Sequence, residues 1–368
     1  MCYKPLAAYL AVFGSLLLAV GIWAQSPTGT PASTKPETPQ AKPTPLTKIG
    51  PEVKRWLEID AFNLGTRYRY IALANGVAAD QQQWQFVVRG RFKFDRKSRF
   101  TLNFGLFTGN VITGGWNNTG LGTGRGQTNL YFKQLYFSAE PIKELEIQVG
   151  GLGLNNGENT EITGYDNDAY VTGERLRIHA PRKLYFDEIS VTYGYLGDPI
   201  RPSVFQRFHR MNESNYHQVL IRKQIDKHVG VSADYTFETG RDILRQAIKF
   251  KPPVKYFFTS LLFEQYERVS TPNGYGMNAS AEKVINKRFT VSGGFARTDR
   301  RILFNADRFP TGKRIYLGGI YKLRPDLAIG SIIIEGVGPL PTPVTPRRRF
   351  EILFNWNVLE SLHRHHIF

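Results

Sequence analysis

The sequence predicts an all-β protein: a single antiparallel up-and-down barrel crossing a membrane with about 16 strands (about 14 to 18). Two observations predict it. Apolar and polar residues alternate strictly through segments long enough to span a bilayer. The segments are joined alternately by short and long connections.

The clearest alternation runs from Trp84 to Thr108. Trp84, Phe86, Val88, Gly90, Phe92 and Phe94 share one face, and Gln85, Val87, Arg89, Arg91 and Lys93 the other. The polar residues Asp95, Arg96, Lys97 and Ser98 follow. Phe100, Leu102, Phe104 and Leu106 then alternate with Thr101, Asn103 and Gly105. Each arm is about ten residues, the reach of a tilted spanning strand and about twice the mean strand of a soluble protein.

From the start of the chain, residues 1–24 carry Lys4, an apolar run from Leu6 to Trp23, and Ala24, the pattern of a secretory signal cut near Ala24. Residues 25–52 are rich in Pro, Thr, Ser and Lys and read as a disordered spacer. The barrel is expected over 53–359 and a short tail over 360–368. In 56–74 the apolar phase moves from Leu57, Ile59 and Ala61 to Tyr68 and Tyr70, which places a bulge near Gly65. Beyond the Trp84–Thr108 hairpin, strands are expected at 130–139, 145–152, 170–179, 184–196, 216–225, 229–239, 243–251, 254–267, 275–284, 288–297, 312–323, 327–337 and 350–359. In 130–139 and 254–267 both faces are mixed and neither is assigned to lipid.

Tight connections are expected at 95–98, 140–144, 180–183, 226–228, 252–253, 285–287 and 324–326. The intervening ones are mostly longer: 71–83, 109–129, 153–169, 197–215, 298–311 and 338–349. Those at 240–242 and 268–274 are shorter. A soluble sandwich has no reason to sort loop length this way.

The chain of 368 residues has 48 Lys and Arg against 31 Asp and Glu, a formal charge of +17. Such a balance points to anionic solutes or an anionic surface; export removes nucleic acid as a partner. Cys2, inside the signal, is the only cysteine, which excludes disulfides, thiolate nucleophiles and Cys-held metals from the mature chain. By alternation Arg89, Arg91, Lys93, Arg175, Arg177, Arg245, Lys249 and Lys251 point into the barrel. There they either draw anions or pair with inward acids such as Glu58, Asp60, Glu188 and Asp234. Facing lipid at mid-bilayer they would cost about 2–4 kcal/mol each. Arg347, Arg348 and Arg349 follow a Pro-rich loop at the rim, placed to meet lipopolysaccharide phosphates. His209, Ser214 and His217 have no spacing that marks a catalytic dyad. His363, His365 and His366 lie on a tail with no partner ligand. No enzyme, metal or cofactor is expected.

In signal, cysteine-free mature chain, strand number and terminal Phe368, the layout resembles bacterial outer-membrane porins. The resemblance covers the chain from about Val53 onward and rests on architecture rather than a motif. The last positions, Glu360, Leu362, Arg364 and His366, depart from the alternation with which such barrels end. The resemblance implies a Gram-negative outer-membrane pore for small solutes, and general porins are trimers, although the sequence isolates no trimer interface. It also implies that the 153–169 connection, which holds Glu158, Glu161, Asp166 and Asp168 and no Lys or Arg, folds inward as an acidic constriction. Two other readings stay open: a barrel resembling alginate exporters that passes an anionic polysaccharide, and a secreted soluble β-rich carbohydrate-binding protein.

Overall fold

The computed structural model describes residues 55–160, 169–179, 185–253, 257–299, 301–302 and 309–365. The expected signal, the spacer, Glu161, Asp166, Asp168, His366 and the 180–183 turn lie outside the described residues. The strands are β1 (Leu57–Leu73), β2 (Ala78–Lys93), β3 (Phe100–Thr108), β4 (Asn117–Gly122), β5 (Leu130–Ile142) and β6 (Leu145–Gly153). They continue as β7 (Tyr170–His179), β8 (Glu188–Tyr195), β9 (Tyr216–Gln224), β10 (Val229–Glu238), β11 (Arg241–Phe250) and β12 (Ser260–Arg268). The last are β13 (Gly274–Val284), β14 (Phe289–Thr298), β15 (Gly312–Arg324), β16 (Leu327–Val337) and β17 (Pro346–Asn357), followed by helix α1 (Val358–Arg364).

Each wall strand pairs antiparallel with the next, and β17 closes on β1 from Asn63↔Asn357 to Leu73↔Pro346. Among the described residues the sheet has 17 strands; β4 pairs only with the outer part of β2, while β3 pairs with β5, so the wall itself has sixteen. Closure leaves the wall no open edge, as a sheet in lipid requires.

The alternation decides which side chains face out. Phe86, Phe92, Phe104 and Phe137 share the outer face with Ile329, Ile352 and Phe354. Phe94 and Leu317 are each 57% exposed, and such side chains continue around the wall. That much contiguous apolar surface is foreign to a soluble monomer and suits an apolar solvent. Outward ion pairs occur near strand ends, as in Lys223 with Asp187 and Arg348 with Glu335, and Glu174 stands outward in the middle of β7 between Val149 and Tyr193.

Five expectations are corrected. The bulge of β1 sits at Asp60, where the pairing skips from Ile59 to Ala61, and not at Gly65. Gly65 serves a close approach instead: a Cβ there would lie 3.2 Å from the Trp116 ring. The expected long 71–83 connection is a four-residue turn, 74–77, because β1 and β2 stay paired as far as Ala72↔Ala78. The 252–253 turn is longer, since β12 begins only at Ser260. Arg347, Arg348 and Arg349 lie inside β17 rather than in a rim loop, and the chain after Asn357 is helical.

Turn chemistry explains the tight end. Asp95 accepts from the backbone N–H groups of Lys97, Arg99 and Phe100, Asp226 from those of His228 and Val229, and Asn286 from those of Arg288 and Phe289. Such side chains stand in for a backbone acceptor in a turn. At the other end, Thr239 and Gly240 both take positive φ (43° and 83°), the geometry that lets two residues join β10 to β11.

Asp326, in the turn before β16, ties down α1. It accepts from Ser361, pairs with Arg364 at 2.8 Å and Arg324 at 3.3 Å, and its carboxyl is held down at about 2, chiefly by the Ser361 bond. A lowered folded-state value stabilises above the ordinary carboxyl pKa and is lost as pH falls through about 2. Helix α1 should therefore stay docked from neutral pH to about pH 4 and release between there and about pH 2. Fluorescence of Trp356, whose Nε1 donates to Ser361 at 2.8 Å, reads this out. Asp326→Asn should abolish the acid transition; an unchanged titration would contradict the assignment.

Candidate functional site

The inner face is polar, and its charges are grouped. At the short-turn end Arg91 meets Glu58 at 3.0 Å and Asp60 at 3.5 Å, and Lys93 meets Glu58 at 2.6 Å. Arg177 bridges Glu146 and Glu188, both at 3.1 Å. Arg245 is bidentate on buried Asp234. At the seam Glu351 accepts from Arg69 (2.8 Å) and Arg349 (2.6 Å), with Arg67 at 3.6 Å. The strand register puts these partners opposite or beside one another, as Glu58↔Arg91, Arg69↔Glu351 and Asp234↔Arg245.

The expected basic row thus divides. Arg91, Lys93, Arg177 and Arg245 are paired with acids, and Lys249 lies 3.9 Å from Glu158. Arg89 instead lies over the Phe107 ring at 5.0 Å, Arg175 bonds only neutral acceptors among the described residues, and Lys251 is exposed.

Two connections turn inward. In 154–160 the Glu158 N–H donates to Ser232 at 2.8 Å, and its carboxylate meets Arg222 at 2.7 Å. The Thr160 hydroxyl donates to Glu264 at 2.8 Å, its backbone N–H bonds the same carboxylate, and Asn155 Nδ2 donates to Glu188 and Ser190. Those anchors sit on β8, β9, β10 and β12, so this stretch crosses the inner wall. Glu158 is therefore compensated rather than a free acid. In 109–116, Trp116 lies under the Arg67 guanidinium at 4.3 Å, and buried Ile112 packs with Leu152, Val171, Leu196 and Tyr216.

Arg67, Trp116, Glu264 and Glu351 were not singled out from sequence. Alternation places Arg67 and Glu351 inward but leaves Glu264 without a side, and only the three-dimensional register shows what all three meet. Arg207, buried in the 196–215 loop, donates to the Tyr170, Tyr195 and Leu196 carbonyls, and burial lowers its guanidinium to about 10. Ser214 and His217 do come together, at 3.3 Å. The ring is wedged between Tyr193 and Phe237, and among the described residues no carboxylate bonds it. Among the described residues no cluster fit for a metal ion occurs.

This is the fold of an outer-membrane porin barrel. Among solved structures, Salmonella typhi OmpF in complex with daunomycin superposes with a TM-score of 0.55 at 11% identity, covering 82% of this chain and 97% of that one. Pseudomonas putida OprB at low pH gives 0.55 at 9% identity, with 84% and 95% covered. A mutant of the Rh. blastica porin gives 0.51 at 11% identity, with 82% and 100% covered. No family model and no curated protein matches the sequence. The likeness is one of fold.

Proposed function

We propose that the chain, exported on the 1–24 signal, forms a water-filled pore in a Gram-negative outer membrane that passes small solutes and favours anions. The observation that carries this is a closed wall with apolar side chains outside and charged ones inside. The likeness in fold to porins supports it. Because most lumenal cations are compensated, the anion preference rests on Arg89, Arg175 and Lys251, whose field is focused by the low-dielectric wall. The 153–169 connection narrows the passage, its acidic character supplied by Glu161, Asp166 and Asp168. Rim contact with lipopolysaccharide falls to Arg347 and to Arg348, which is exposed although paired with Glu335, since Arg349 is buried against Glu351. No chemistry is done on the solute, and assembly as a homo-trimer is part of the proposal.

A planar bilayer with a tenfold KCl gradient tests the reading. A reversal potential of the sign set by chloride is expected, shrinking when Arg89 and Arg175 are changed to Gln. Cation preference in the unaltered protein would overturn it.

A further inference from the structure

The guanidinium of Arg175 differs from those of Arg69, Arg245 and Arg349, which are buried to a similar degree and face carboxylates. Its Nε donates to Thr192 at 2.9 Å, Nη1 to Gln148 at 3.3 Å, and Nη2 to the Gly153 carbonyl at 2.6 Å. No carboxylate among the described residues pairs with it. The nearby acid Glu146 is taken up by Ser138, Gln148 and Arg177. Five guanidinium N–H groups with three acceptors leave two over. A buried cation without an anion is costly unless something else supplies the charge.

Arg175 borders a cavity of about 230 Å³ between β5, β6, β7 and the start of the inward 154–160 stretch. Gln134, Tyr136, Gln148, Asn155 and Arg177 line it with Arg175. The Tyr136 hydroxyl and the Gln134 amide make no hydrogen bond among the described residues, so donors and acceptors of both kinds face the space unused. At about 30 Å³ per water the cavity holds roughly seven or eight waters, room for a molecule the size of a monosaccharide. Arg314, buried at the long-loop end, donates to the Pro346 and Thr311 carbonyls.

We propose that this recess is a binding subsite for a small carboxylate bearing hydroxyl groups, of the sugar-acid type. The carboxylate takes the two spare N–H groups of Arg175, and the hydroxyls take Tyr136 and Gln134. The inference rests on the pore reading, since the ligand reaches the recess through the lumen.

The test uses the full mature chain in a planar bilayer at fixed KCl, with D-glucuronate added to one side. A saturable fall in current is expected, with glucose and acetate each at least about tenfold weaker. Arg175→Gln should weaken block about tenfold to a hundredfold and Tyr136→Phe about threefold to tenfold, each read as the fraction of that variant's own KCl current that glucuronate removes. If Arg175→Gln fails to assemble, Tyr136→Phe, which removes one hydroxyl from the wall, decides alone. Steady current at all glucuronate concentrations, or equal block by glucose or acetate, would overturn the subsite and leave the pore standing. A chain that conducts nothing would overturn both.

Discussion

Replacing Glu351 with Leu is expected to destabilise the barrel by about 3–5 kcal/mol, the cost of removing one partner from a buried ion pair. Glu351 is fully buried and faces Arg67 and Arg69 across the seam where β17 meets β1, with Arg349 beside it on β17. Its loss leaves like charges adjacent at the one place where the two ends of the sheet must join. Urea unfolding of the reconstituted protein, followed by heat-modifiable gel mobility, measures this. The contrasting variant is Arg348→Ala, which breaks the exposed pair with Glu335 and should cost less than about 1 kcal/mol. Equal effects from the two would contradict the seam assignment.

The second large effect is on the inward 154–160 stretch. Glu264 accepts from the Thr160 hydroxyl and backbone N–H, and Asn278 holds the carboxylate from β13. Bonds to a charged acceptor contribute about 1.5–3 kcal/mol each, so Glu264→Ala should shift the docked-to-undocked ratio by about a hundredfold or more. Faster amide exchange across 154–160 and a larger single-channel conductance are the expected results. Unchanged exchange with unchanged conductance would show that the stretch is held elsewhere.

What the sequence made legible follows from where the physics is local. The β2–β3 hairpin and β10 read directly, because period-two alternation with an apolar face needs no knowledge of neighbours. Strand 130–139 did not read, and the reason is one residue. Gly105 pairs with Gln134 and Leu106 with Phe132, so Lys133 is extra, and the outward set moves from Leu130 and Phe132 to Leu135 and Phe137. Lys133 itself is buried, its Nζ donating to the Val111 and Gly114 carbonyls. In 254–267 the strand begins late, so Phe257 and Phe258 belong to the connection and not to either face. The partners of the basic residues read as inward were only partly legible. Glu58, Asp60, Glu188 and Asp234 could be named as acids available for pairing. That Arg67 and Arg69 join Arg349 around Glu351 depends on chain closure over almost 300 residues, 282 for Arg69.

The central claim is that lipid touches one face of each strand and water the other. Leu102 and Asn103 are neighbours in β3 with opposite orientations, paired with Phe92 and Arg91 respectively. With Cys2 in the expected signal, the mature chain is a cysteine-free background. In liposomes, a membrane-impermeant maleimide should label Asn103→Cys and spare Leu102→Cys. Equal labelling of the two, or preference for position 102, would contradict the barrel's placement in the membrane.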